Sequence, residues 1–391
     1  MILRRSHFLI FILCLSIDAF GQGHGHGPAG ASDKNFRFSL LGGPGFNPDM
    51  GFLLGGDAVF TFSTNPADST MRRSVIPVAF AYFFNGGGLV TIRPQLFFNH
   101  DRFRVFGSVR ALNVVDNYYG VGFDTGSEVE RGEETTQHRF QTLEFNPVLL
   151  FRWQETDFFL GPTASVVTSQ IKEPSEGMLV DETYLRQGGD DSGISFFNSG
   201  LGFRLNYDTR DVPANAYKGI LCEFDFVGYH QAIGSDGNFS TYRLEYRQFQ
   251  QLQRLGREKV LAWTGSARFT YGDAPFPLLP TIGSPFDLRG YYAGQFRDRH
   301  ALYALVEYRH GFEFSSSNKF INLLSKTGFV LWTGVGTITN NLETWEETGV
   351  LPNFGAGFRV QLQPRINFRV DVGRDPLNEQ NLVYLNVTEA F

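Results

Sequence analysis

The chain has 391 residues and a formal net charge of −6, with 44 glycines, 41 phenylalanines, 15% aromatic and only 19% charged residues. No basic run is long enough to follow a phosphate backbone, which argues against a nucleic-acid partner. The composition suits strands with an aromatic outer face and glycine-rich turns, and this length accommodates one large closed β-structure as readily as two ordinary domains.

The first stretch reads as an export leader. Arg4-Arg5 precede an apolar run from Phe8 to Ile17, too short to span a bilayer, and Ala19-Phe20-Gly21 follows as a small-x-small cleavage pattern. Residues 1–21 are therefore expected to be a signal peptide, and the residues before Cys14 lack the small-residue context of a lipoprotein site. With Cys14 in the leader, Cys222 stands alone and no disulfide framework is expected. Residues 22–34 are expected to be a flexible Gly/His-rich segment, and His24 and His26 without a third ligand are not expected to make a metal site.

From Asn35 to Phe391 there is no helical period, while short alternating stretches recur. In 365–373, Ile366, Phe368, Val370 and Val372 share one face and Asn367, Arg369 and Asp371 the other; in 218–229, Ile220, Cys222, Phe224 and Phe226 oppose Glu223 and Asp225. Alternation alone fits a soluble sandwich as well as a membrane barrel. Strand number separates them. Candidate strands lie near 36–43, 51–63, 72–84, 88–99, 102–113, 139–153, 156–170 and 195–209. They continue near 217–228, 238–251, 258–272, 299–313, 325–338, 353–363, 364–374 and 381–391. About sixteen antiparallel strands can close without an exposed edge, the only way strands cross a bilayer. The expected fold is all-β: a transmembrane antiparallel barrel over residues 35–391. The connections at 84–88, 99–102 and 363–365 are expected on the periplasmic side, and the long ones at 114–138, 171–194, 273–298 and 339–352 outside.

The longest uninterrupted loop, Gly272 to Arg299, carries prolines at 275, 277, 280 and 285, so it is neither a central strand nor a helix. A loop this long is usually functional when ordered. Its patterned element is Leu288-Arg289-Gly290-Tyr291 beside Asp287, and an arginine at the tip of a returning loop requires an anion. Catalytic signatures are missing: there is no Gly-x-Ser-x-Gly, no His-Glu-x-x-His and no Walker-type loop, and His230, His300 and His310 are scattered. No enzyme activity, metal or other cofactor is expected.

Leu288-Arg289-Gly290-Tyr291, followed by Leu305-Val-Glu307-Tyr-Arg309, closely resembles the loop motif and next strand of the BamA/TamA-like outer-membrane assembly and secretion superfamily, the bacterial surface antigens. Gly202-Phe-Arg-Leu-Asn-Tyr-Asp208-Thr-Arg210-Asp211 with Gly219 is similar to its earlier signature, although Asp208, Arg210 and Asp211 sit just past a strand, where a hydrogen-bonded turn is the favoured reading. Gly355-Ala-Gly-Phe-Arg-Val, Phe368-Arg-Val-Asp371-Val-Gly373 and the final Phe391 resemble its last strands and assembly signal. The resemblance covers about 195–391. It implies a sixteen-stranded barrel whose loop inserts into the lumen and sets Arg289 against Glu307 on the wall. Many members carry an aspartate in the next strand, where this chain has Gly334 or a neighbour of it; either one acid suffices here or Asp371 supplies the second. The chain resembles the reduced branch without POTRA domains, and Glu389 departs from the usual apolar residue near the end.

The resemblance implies a barrel in the bacterial outer membrane that helps insert or translocate proteins or lipids, through a seam between first and last strands. Its expected partners are outer-membrane lipid, unfolded outer-membrane or secreted clients and a periplasmic client-binding protein. A passive or gated pore and a surface-display role for loops 114–138 and 171–194 are the rival readings.

Overall fold

Alternating apolar and polar residues, rich in Phe, Val and Leu, drive this chain into long strands. The computed structural model describes residues 35–68, 71–213, 215–314, 318–363, 365–387 and 389–391. The expected leader, 1–21, and spacer, 22–34, lie outside the described residues.

The strands are β1 (Phe36–Asn47), β2 (Gly51–Phe62), β3 (Ser74–Phe83), β4 (Gly88–Ile92), β5 (Gln95–Phe98), β6 (Phe103–Asn117), β7 (Gln137–Arg152) and β8 (Phe158–Lys172). There follow β9 (Ile194–Asp208), β10 (Gly219–Tyr229), β11 (Phe239–Gln251), β12 (Lys259–Gly272), β13 (Thr281–Ile282) and β14 (Phe296–Arg297). The last are β15 (His300–Gly311), β16 (Thr327–Thr339), β17 (Leu351–Gln363), β18 (Ile366–Asp375) and β19 (Gln380–Val387). β13 and β14 form a small hairpin within the long loop; the other 17 strands make one sheet.

Each wall strand pairs antiparallel with its neighbour along the chain. β4 and β5 both lie between β3 and β6, so they are two halves of one stave. The break falls at Arg93-Pro94, because proline has no N–H for the ladder. The described wall thus has sixteen staves. β1 lies beside β19, closing the ring, yet no ladder joins these two among the described residues.

Side-chain direction follows the expected alternation. Phe80, Phe145, Phe203, Leu244, Phe358 and Val372 are exposed on the outer surface, whereas Arg369, Asp371 and Asp375 are buried inside. This apolar-out, charged-in arrangement is that of a lipid-facing barrel. On β10, Glu223 and Asp225 face the lumen and pair with Arg204 and Arg243 from the adjoining staves β9 and β11.

Antiparallel pairing places alternate connections on opposite rims. Residues 118–136, 173–193, 273–299 and 340–350 share one rim. The turn at 84–88, expected on the opposite side with the other short connections, is on this long-loop rim. It follows β3, an odd-numbered stave, and parity along the wall decides the rim whatever the turn length. The opposite rim carries 99–102, 153–157 and the connections from β9 to β10 and from β17 to β18, and also the longer connection from β15 to β16 with a short helix, Lys319–Leu324. A second correction concerns the end of the chain. The strand expected over 381–391 stops at Val387, and residues 389–391 are buried in the interior. Glu389 cannot remain on an apolar face, and ion pairing in the lumen turns the chain inward.

The luminal loop seat

The loop between β12 and β15 folds back into the lumen, where its Ile282, Leu288, Tyr291 and Phe296 pack with wall residues such as Leu305, Trp332, Ile338 and Leu351 in the main buried cluster. Burying loop backbone requires partners for its polar groups. Internal bonds supply some: Gly294 N–H donates to Gly283 O at 3.1 Å, and Gly283 N–H donates to Asp287 Oδ1 at 3.2 Å. Burial pushes the Asp287 carboxyl up from its ordinary value. The wall supplies others. Asn353 Nδ2 donates to Arg289 O at 2.9 Å and Gln380 Nε2 to Gly290 O at 2.9 Å; Gly290 N–H donates to Tyr384 Oη at 3.0 Å. Tyr291 Oη donates to Pro352 O at 2.7 Å.

Two glycines permit this approach. Gly290 has φ +122, and a Cβ there would lie 2.7 Å from the Arg374 carbonyl carbon. On the wall, a Cβ at Gly373 would lie 2.6 Å from Arg289 C and O. The loop backbone therefore rests directly on β18.

At the centre, Arg289, Glu307 and Asp371 are all fully buried. Arg289 donates through Nη1 to Asp371 Oδ2 at 2.8 Å and through Nη2 to Glu307 Oε1, and its guanidinium carbon lies 3.6 Å from the centroid of the Trp332 ring. Such charge-assisted bonds are strong in a low-dielectric interior, and the stacked indole adds a cation–π attraction. Three more arginines hold the same acids. Arg309 Nε donates to Glu307 Oε2 at 3.0 Å, Arg369 Nη1 to Asp371 Oδ2 at 2.7 Å, and Arg359 Nη1 to Asp371 Oδ1. Arg369 Nη2 also reaches the loop, donating to Pro285 O at 2.8 Å.

At the long-loop rim the insertion is held by its neighbours. Gln187 Nε2 donates to Ala274 O at 3.2 Å and its Oε1 accepts from Phe276 N–H at 2.9 Å, while Phe276 packs against Tyr118, Tyr184 and Phe196. Asp49, in the β1–β2 turn, accepts from Ala293 N–H at 2.8 Å, and burial pushes its carboxyl up to about 6.

The structure brings Leu288, Arg289, Gly290, Tyr291, Glu307 and Asp371 into one site. Asp208, Arg210, Asp211 and Gly219 are elsewhere, at the 209–218 turn on the opposite rim. There Arg210 donates bidentately to Asp208, both bonds at 2.9 Å, and Asp211 Oδ1 accepts from Tyr217 N–H at 2.9 Å. Gly219 has φ +109. Phe391 borders the loop site: it belongs to the same buried cluster, and its ring lies near Phe249 with centroids 6.1 Å apart. Sequence reasoning missed Trp332, Asn353, Arg359 and Tyr384. The inward period of β16, β17 and β19 contains them, but period alone does not say which luminal residues meet an inserted loop.

The Omp85 superfamily domain matches residues 98–382. The chain belongs to the Omp85 superfamily. Solved structures share its fold at low identity. BamA from Haemophilus ducreyi lacking POTRA domains 1–3 is 14% identical with a TM-score of 0.60, the alignment covering 91% of this chain and 70% of that one. CdiB from Escherichia coli is 9% identical with a TM-score of 0.60, covering 96% and 67%. CdiB from Acinetobacter baumannii is 11% identical with a TM-score of 0.53, covering 91% and 60%. No curated protein matches the sequence significantly. In this Omp85 chain the inserted loop, the buried arginine and the acids facing it all fall within the matched residues.

Proposed function

We propose that this Omp85 chain is an outer-membrane barrel that assists the insertion or translocation of proteins, or of lipids, by offering the edge of β1 at an openable seam. The observation that carries this reading is the seam: β1 pairs with β2 on one side and lies beside β19 with no ladder on the other, among the described residues. An unpaired edge is a template for an incoming strand, whose main-chain groups would find partners there that lipid cannot provide. The short β19 would also thin the adjoining bilayer and ease insertion. This work needs no nucleotide and no covalent step.

In the same reading, Arg289 with Glu307 and Asp371 clamps the loop as a plug and braces the wall from within. The turn at Asp208, Arg210, Asp211 and Gly219 stiffens the opposite rim, and Phe391 serves as the signal for the protein's own assembly. Clients are unfolded outer-membrane or secreted proteins, delivered by a periplasmic client-binding protein.

Mild-detergent purification of the tagged barrel from its native outer membrane tests this. A periplasmic client-binding protein or unfolded client at stoichiometric level is expected. A lone barrel that conducts ions steadily in planar bilayers, with a selectivity altered by Arg289→Ala, would make the chain a pore instead.

A further inference from the structure

Each acid that holds Arg289 is gripped by at least one further arginine, and one on each acid, Arg309 on Glu307 and Arg359 on Asp371, also binds the end of the chain. Arg309 donates through Nε to Glu307 and through Nη2 to the backbone oxygen of Phe391, both at 3.0 Å. Arg359 donates through Nη1 to Asp371 and through Nε to Glu389 Oε2 at 2.9 Å. Asn367 Nδ2 adds a bond to Glu389 Oε1 at 2.8 Å. Two relays therefore run in parallel from the loop tip to the chain's last residues, Arg289–Glu307–Arg309–Phe391 and Arg289–Asp371–Arg359–Glu389. Every member is buried. In such an interior, charges are poorly screened and hydrogen bonds polarise one another, so displacing one end is felt at the other.

The packing agrees with the polar contacts. The Arg309 guanidinium carbon lies 5.1 Å from the centroid of the Phe391 ring and 5.5 Å from that of Phe249, so the two rings bracket one face of the relay. Burial alone would raise the Glu389 carboxyl, but Arg359, Arg309 and the Asn367 amide outweigh it and bring it down to about 2, so it stays ionised throughout the physiological range.

Resting on the loop-seat reading above, we propose that Glu389 and Phe391 are positioning residues: through Arg359 and Arg309 they orient Asp371 and Glu307 for Arg289, so that the loop is firmly seated only while residues 389–391 are tucked into the lumen. These residues follow β19, the strand at the seam. Drawing β19 away from β1 pulls 389–391 from the lumen, leaves Arg309 and Arg359 free to swing from the acids, and loosens the loop tip. The state of the seam is thereby transmitted to the plug. Linkage requires the converse: releasing the loop must loosen the tail.

Hydrogen exchange read by mass spectrometry on the full-length protein in lipid nanodiscs tests both directions, following the loop segment 286–293 and the tail segment 385–391. Glu389→Gln is expected to speed exchange of the loop segment about tenfold, within the usual range of coupling energies, and Arg289→Ala to speed the tail segment by a similar factor. The double variant should exchange no faster in the loop than Arg289→Ala alone, a non-additivity that mere filling of the lumen floor does not produce. Asn367→Ala removes one donor to Glu389 without touching a charge and should act in the same direction, more weakly, which covers the case in which Glu389→Gln fails to fold. Loop exchange at the wild-type rate in both Glu389→Gln and Asn367→Ala, with the tail segment loosened, would overturn the coupling. If Arg289→Ala leaves its own loop segment unchanged, the loop-seat reading itself fails, and the two failures are told apart within one data set.

Discussion

Replacing Arg289 by alanine removes the one guanidinium that the loop contributes to the luminal cluster. The cluster contains four arginines, 289, 309, 359 and 369, and three acids, Glu307, Asp371 and Glu389. Deleting one member of a buried ion pair usually costs about 3–5 kcal/mol, because the partner is left buried and uncompensated. Here both partners keep other arginines, so the low end applies, about 3 kcal/mol, with loss of the Trp332 stacking included. The remaining wall contacts of the loop, from Asn353, Gln380 and Tyr384, stay in place. If the cost falls on seating, the open population of the loop rises by about a hundredfold. Added protease, with cleavage of 273–299 followed by gel, should then cut Arg289→Ala and Glu307→Ala far faster than wild type. Equal protection in all three would refute the clamp. Arg289→Lys should lie between, since a single ammonium cannot reproduce the two-sided guanidinium contact.

Gly373→Ala puts a methyl group against the Arg289 backbone, and overpacking of about 1–3 kcal/mol should raise loop cleavage while the heat-modifiable gel mobility of the folded barrel persists. Asp49 gives a pH signature. Its raised carboxyl, about 6 in the seated loop, binds a proton there more readily than in an opened one, so seating strengthens as pH falls through 6 and the gain is complete only below the ordinary carboxyl value of 3.8. The full effect is about 3 kcal/mol, the Ala293 amide should become better protected between pH 7 and 5, and Asp49→Asn should abolish that slope. Arg210→Ala breaks the bidentate pair with Asp208 at the opposite rim and should increase proteolysis within 209–218, with loop cleavage unchanged.

Much of the wall was legible because a barrel writes its two faces into period-two alternation, as Arg369 and Asp371 between Phe368, Val370 and Val372 illustrate. Register between distant staves has no such signature, so the opening left by Gly334 gave no way to decide whether one acid or two would face Arg289. The structure has Asp371 across from it, and the small residue at 334 leaves room instead: a Cβ there would lie 2.7 Å from Asn353 Oδ1, the side chain that also holds the loop backbone. The rim of the 84–88 turn is not legible from its length, because its place in the stave count decides it. The inward tail was hidden for a different reason. Glu389 stood out as a polar residue where an apolar one was expected, but its partner Arg359 lies thirty residues earlier, and only the folded wall brings them together.

The most direct test of strand capture at the seam is a photo-crosslinking amino acid placed at Leu40 in β1, with Leu244 in β11 as the control, while an unfolded outer-membrane barrel client is expressed in the same cells. Seam opening predicts a client adduct at 40 and none at 244. Adducts at 40 only with the chain's own β19, or equal client yields at both positions, would contradict it.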